Sequence, residues 1–144
     1  QYRLELETFG YPLSNHPLEK YRPILSRRIQ YARDIPNYVG QSIYLIGVYI
    51  TRKETITGNS EPMEFLTLED ETDIYECVLF PEVFRECGDM LHLETLFIIR
   101  GIVEESFGVY TITIEKMGSL QQWVKKISRV NFLQTIVPSA RDRV

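Results

Sequence analysis

The stretch MEFLTLEDET (63–72), followed by DIYECVLF (73–80), decides the fold. Apolar and polar residues alternate from Phe65 to Glu69, and the second half is rich in β-branched and aromatic residues. Two antiparallel strands are therefore predicted, joined by a tight connection over Asp70 to Asp73. Upstream, SIYLIGVYITRKETIT (42–57) reads as a long first strand that ends in a Gly58-Asn59-Ser60 turn. Downstream, Pro81 opens EVFRECGDML, whose Phe84, Cys87, Met90 and Leu91 recur at helical spacing; one short helix with proline in its first turn is predicted. TLFIIRGIVEE (95–105) is a fourth strand. After a turn at Phe107-Gly108, GVYTITIEKM (108–117) alternates Tyr110, Ile112 and Ile114 with Thr111, Thr113 and Glu115, as a half-buried fifth strand does.

A long first strand and the order β-β-β-α-β-β are those of an OB fold: mainly β, a five-stranded Greek-key barrel with a short helix between strands 3 and 4. Gly47 in the first strand and Gly101 in the fourth suit the sharp bends that close a small barrel. The alternative is an ordinary five-stranded meander. The barrel is placed at residues 41–118. Residues 1–40 form a linker and collar, with Gly10, Pro12, Asn15 and Pro17 dense in turn chemistry and an irregular or short helical run from Leu18 to Ala32. In residues 119–144, SLQQWVKKI (119–127) sets Leu120, Trp123, Val124 and Ile127 on one face, predicting a C-terminal amphipathic helix and tail.

The 144 residues are 44% hydrophobic and 25% charged, enough for one domain with its own core. No run approaches the roughly 20 apolar residues that cross a bilayer, so no membrane partner is expected. Gln1 has no basic-then-apolar leader behind it, and the chain reads as a soluble piece of something longer. Two cysteines, Cys77 and Cys87, make neither a disulfide framework nor a four-ligand metal site, which points to a reducing cytoplasm. The net charge of −4 hides a division. Residues 1–53 hold eight basic against four acidic residues, residues 54–115 two against fifteen, and residues 116–144 six against one. An acidic middle lies between two basic arms.

No catalytic residue and no metal site is expected here. Glu69, Asp70, Glu71 and Asp73 are nearly consecutive around a turn and point in different directions, so they read as a solvated turn rather than a metal site. His16 and His92 have no nucleophile motif attached, the two cysteines sit at apolar positions, and no glycine-rich phosphate loop occurs. Binding remains, and OB barrels bind across strands 2 and 3 and the loops that flank them. If Leu66 and Leu68 point inward, Phe65, Thr67 and Glu69 lie outside; likewise Phe97, Ile99, Gly101 and Val103 go in and Arg100 out. Arg52 and Lys53 lead into the first loop, Phe107 and Tyr110 border the last, and Lys116 ends strand five. The candidate nucleic-acid-binding set is therefore Arg52, Lys53, Phe65, Thr67, Arg100, Phe107, Tyr110 and Lys116: cations for phosphates, aromatics for bases. The acidic barrel predicts weak binding on its own unless the basic arms, Arg22, Arg27, Arg28 and Arg33 before it and Lys125, Lys126 and Arg129 after it, fold onto one side.

FLTLEDET (65–72), the Phe80-Pro81-Glu82-Val83 run, Gly47 and IIRGIVEE (98–105) together resemble the OB domain near the C-terminus of the bacterial replicative DNA polymerase III alpha subunit. GYPLSNHPLEKYR (10–22) is similar to the segment by which that family passes from its helix-hairpin-helix module into the OB region. The resemblance covers roughly residues 8–118. One departure is Asp73, where the family usually places glycine. The resemblance implies a DNA-directed DNA polymerase, a nucleotidyltransferase expected to use Mg2+, whose catalytic aspartates lie upstream of this segment; no cofactor belongs to the segment itself. It implies a module that receives the single-stranded DNA template ahead of the active site. The alternative is a protein-interaction module that docks other polymerase domains or replisome subunits. An anticodon-binding OB domain of a synthetase would leave residues 10–18 without explanation.

Overall fold

Five strands close into one barrel in the order β1-β2-β3-β5-β4. They are β1 (Ser42–Ile56), β2 (Pro62–Glu69), β3 (Ile74–Leu79), β4 (Leu96–Ser106) and β5 (Val109–Ser119). All neighbours pair antiparallel except β3 and β5, whose short parallel register (Glu76 with Thr111 to Val78 with Thr113) closes the barrel. The architecture is the expected OB fold. A computed structural model of the chain describes residues 16–127; the linker expected before residue 16 and the tail expected after residue 127 lie outside the described residues.

Side-chain alternation is as the sequence predicts. Leu66 and Leu68 of β2, Tyr75, Cys77 and Leu79 of β3, Phe97, Ile99 and Val103 of β4, and Ile112 and Ile114 of β5 fill the interior. Gly47 earns its place through packing: a Cβ there would lie 2.7 Å from both the Leu68 Cβ and the Tyr75 hydroxyl. That space lets the Tyr75 hydroxyl donate a 2.8 Å hydrogen bond to the Ile46 carbonyl. Burial pushes the Tyr75 pKa well up, so the phenol keeps its proton. Gly101 is confined in the same way, with its missing Cβ 2.7 Å from the Thr113 carbonyl oxygen.

A second apolar cluster lies outside the barrel. Leu18, Tyr21, Leu25 and Ile29 of the collar pack with Ile46, Ile98 and Leu120. The first half of β1 and the start of β4 are thus buried on both faces, which is why SIYLIGV and LFII read as near-continuous apolar runs. The collar consists of two 3-10 turns, Glu19–Ile24, which contains Pro23, and Ala32–Tyr38. Bridges from Ile29 to Tyr44 and from Val39 to Val103 pin it to the sheet. A final helix, α3, begins at residue 120 and is described to residue 127.

Between β3 and β4 the chain makes two short helices, α1 (Pro81–Cys87) and α2 (Met90–Leu93), where one was expected. Gly88 and Asp89 separate them, both poor helix formers. The apolar side is as predicted, with Cys87 and Leu91 buried and Val83, Phe84 and Met90 packed on the barrel core.

Candidate nucleic-acid interface

The outer face over β2 and β3 gathers three of the eight sequence-predicted residues. Its cross-strand rows are Lys53–Phe65–Val78 and Thr51–Thr67–Glu76–Thr111. Parity on β1 is reset by a bulge between Tyr49 and Thr51, which turns Lys53 outward. Phe65 is 41% exposed although it sits mid-strand. Tyr110 is at the rim of this face, in a cleft between β3 and the collar that it lines with Arg33, Ile74, Asp73 and Glu76. Phe107 occupies the tip of the β4–β5 hairpin, fully exposed. Phe107 and Gly108 both have positive φ, 53° and 82°, as a two-residue primed hairpin turn requires. A bulky residue is strained in that conformation, and such strain concentrates at functional sites.

Arg52 points the other way, toward α2 and the barrel end. Its guanidinium lies 3.2 Å from the His92 Nδ1 and 3.6 Å from the Glu64 carboxylate. Glu64 is fully buried, and neither carboxylate oxygen has a hydrogen-bond partner among the described residues. Burial raises its pKa, and Arg52 opposes that rise.

Arg100 and Lys116 face each other across β4 and β5, on the far side of the barrel from Phe65. They line a cleft of about 280 Å³ with Tyr44, Met117 and Trp123. Glu115 accepts a 3.2 Å hydrogen bond from Arg100 and a 2.7 Å bond from the Ser42 hydroxyl. The Tyr44 side chain, then Glu115, raise the pKa of Arg100 and fix it as a cation. Trp123 was expected on the buried helix face but is 42% exposed at the edge of this cleft, while Leu120 is buried and Val124 and Ile127 are packed inward. Sequence reading missed Tyr44 here; its place opposite Arg100 follows only from the β1–β4 register.

The acidic turn is solvated at Asp73, but its centre is not, contrary to expectation. Asp70 is fully buried and accepts hydrogen bonds from the Ala32 N–H (2.7 Å), the Thr72 N–H and hydroxyl (2.7 Å each) and the Asp73 N–H (3.1 Å). Arg22 completes its shell at 3.1 Å and reaches Glu71 at 2.6 Å. A carboxylate whose two oxygens are filled by protein donors offers nothing to a metal ion. The desolvation of Asp70 is offset because the collar supplies a cation, Arg22, and the Ala32 N–H, and the turn supplies its own Thr72 and Asp73 N–H groups. Arg22 is therefore spent on structure. Arg22 and Arg33 both lie on the Tyr31 ring, at 3.9 and 4.7 Å from its centroid, and Arg28 lies 5.9 Å from that of Tyr44. Arg33 borders the β3 cleft; Arg28 belongs to the opposite side.

Among the described residues no three His, Cys, Asp or Glu side chains are grouped to hold a metal ion. Both cysteines are buried and free; burial pushes the Cys77 thiol well up and the Cys87 thiol up. No helix among the described residues is long and apolar enough to cross a membrane.

Residues 44–120 match the family model described as an OB-fold nucleic acid binding domain. The chain is 25% identical over 134 residues to the DNA polymerase III subunit alpha of Aquifex aeolicus, covering 91% of this chain and 12% of that protein. It is 35% identical over 106 residues to the DNA polymerase III subunit alpha of Bacillus subtilis, covering 69% of this chain and 9% of that protein. The chain thus spans about a tenth of the length of these curated relatives. Among solved structures, asparaginyl-tRNA synthetase from Pyrococcus horikoshii superposes with a TM-score of 0.51 at 20% identity, over 66% of this chain and 23% of that one, a likeness of fold alone.

Proposed function

Because the chain belongs to the OB-fold nucleic acid binding domain family, we propose that it is a non-catalytic module of a bacterial DNA polymerase III alpha subunit that holds the single-stranded DNA template ahead of the active site. Phosphoryl transfer and its Mg2+ belong to other parts of such a polymerase. Here the strand crosses β2 and β3 between the β1–β2 loop and the β4–β5 hairpin. Lys53 neutralises phosphate, Phe65 and Tyr110 offer ring faces to bases, and Thr67 offers a hydroxyl. The observation that carries this is Phe107, a fully exposed aromatic held in a strained left-handed conformation at the hairpin tip beside that face.

The test is fluorescence anisotropy of a labelled oligothymidylate with the 144-residue chain at low and moderate salt. Binding that weakens with salt, and weakens several-fold in Phe107→Ala and Lys53→Glu, supports the proposal. No binding at low salt, or binding indifferent to both substitutions, overturns it.

The acidity of residues 54–115 favours a second role, docking other polymerase domains or replisome subunits through the barrel. Capture of those domains by the chain in the absence of DNA, with no oligonucleotide affinity, would select it.

A further inference from the structure

The face over β2 and β3 is acidic for a nucleic-acid surface: Lys53 and Arg33 stand against Asp73, Glu76 and Glu104, with Glu76 and Glu104 in one cross-strand row through Thr111. The opposite face has the reverse balance. Around the cleft of about 280 Å³ between β1, β4, β5 and α3, Arg100, Lys116 and Arg28 stand beside the carboxylate of Glu115, which Arg100 and Ser42 occupy. Two exposed or half-exposed rings, Tyr44 and Trp123, border a floor made by Ile98, Ile99 and Met117. Lys116 is exposed at the rim. A ring-walled apolar slot with cations beside it has the chemistry that seats a nucleobase and neutralises the phosphates on either side.

We propose that this cleft is a second contact for single-stranded nucleic acid, in which one base enters between Tyr44 and Trp123 while Lys116 and Arg28 take flanking phosphates. The ligand class rests on the function proposed above; the site is separate from the β2–β3 face. A strand held at both faces would wrap the barrel past the β4–β5 side, so that the basic face compensates the acidic one.

Trp123 is the chain's one tryptophan, so its emission reports on this cleft alone. The 144-residue chain is titrated with a fluorescein-labelled twelve-nucleotide oligothymidylate at low salt, and tryptophan emission and fluorescein anisotropy are followed together. The expected result is a tryptophan change that tracks anisotropy. The double variant Lys116→Glu with Arg28→Glu, both exposed positions, is expected to weaken binding by about fivefold or more and to make its salt dependence shallower. Anisotropy that rises with a silent tryptophan, and is unchanged in the double variant but lost in Phe107→Ala with Lys53→Glu, overturns the cleft and supports the β2–β3 groove. The reverse pattern supports the cleft and overturns the groove. A tryptophan response to an acidic aromatic peptide, with none to the oligonucleotide, overturns the cleft as a nucleic-acid site.

Discussion

Asp70 accepts a 2.7 Å hydrogen bond from the backbone N–H of Ala32, which stands 38 positions earlier in the chain. With Arg22 on the same carboxylate, the β2–β3 connection and the collar are one structural unit. Asp70→Ala removes an acceptor from five donors and leaves Arg22 with Glu71 and the Gln30 carbonyl; a loss of about 3–5 kcal/mol is expected for a broken buried pair. Urea unfolding followed by circular dichroism measures it, and a loss below about 1 kcal/mol would show that water replaces Asp70 freely.

Gly47→Ala places a methyl 2.7 Å from the Leu68 Cβ and the Tyr75 hydroxyl. Overpacking of this kind costs about 1–3 kcal/mol. Tyr75→Phe forfeits the bond to the Ile46 carbonyl, about 1 kcal/mol, yet it also removes one of the two atoms that the new methyl strikes. The double variant is therefore expected to be more stable than the sum of the two single losses predicts, and a double-mutant cycle on unfolding midpoints checks it. Strict additivity would mean that the clash with Leu68 dominates.

Glu64 gives a pH signature opposite in sign to that of a salt-bridged carboxylate. Its folded pKa is raised above the ordinary 4.5 by burial, so the folded state holds the proton more tightly than the unfolded state does. The ionised side chain thus costs stability above the raised pKa, and the cost fades as pH falls from there toward 4.5. Glu64→Gln is expected to stabilise the chain at neutral pH, with the gain shrinking across that window. A gain that grows on acidification would reverse the sign and make the Arg52 pair dominant.

Phe107→Asn is expected to separate stability from binding. Asparagine tolerates left-handed backbone better than phenylalanine does, so the thermal midpoint should rise, by up to about 1 kcal/mol of stability. Affinity for the oligothymidylate should fall at the same time, by the roughly 1–3 kcal/mol that one stacked base contributes. Equal affinity in the more stable variant would remove Phe107 from the interface.

Strands, inward positions and the barrel were legible because alternation at Leu66 and Leu68 or Ile112 and Ile114 is local information. What could not be read is what depends on partners far away in sequence. The run Glu69-Asp70-Glu71 carries no local mark that Arg22 and Ala32 will bury its middle member. Adjacent Arg52 and Lys53 look alike on paper, and the bulge near Ile50 sends one to the barrel end and the other to the outer face. Glu64 is charged at an inward position, where composition predicts an apolar residue. Arg100 and Lys116 were grouped with Phe65 by type; in the closed barrel β4 and β5 each lie two strands from β2, on its far side.

The collar's attachment has a mechanical consequence. His16 lies 3.8 Å from Glu69, and Arg22 grips Asp70 and Glu71, so successive side chains of the entering segment are fastened to successive side chains at one hairpin. A pull or twist applied at residue 16 is met at the β2–β3 connection within a few side chains, without slack to absorb it. The barrel is thereby oriented like a blade on a splinted handle: the face over β2 and β3 turns with residues 16–22.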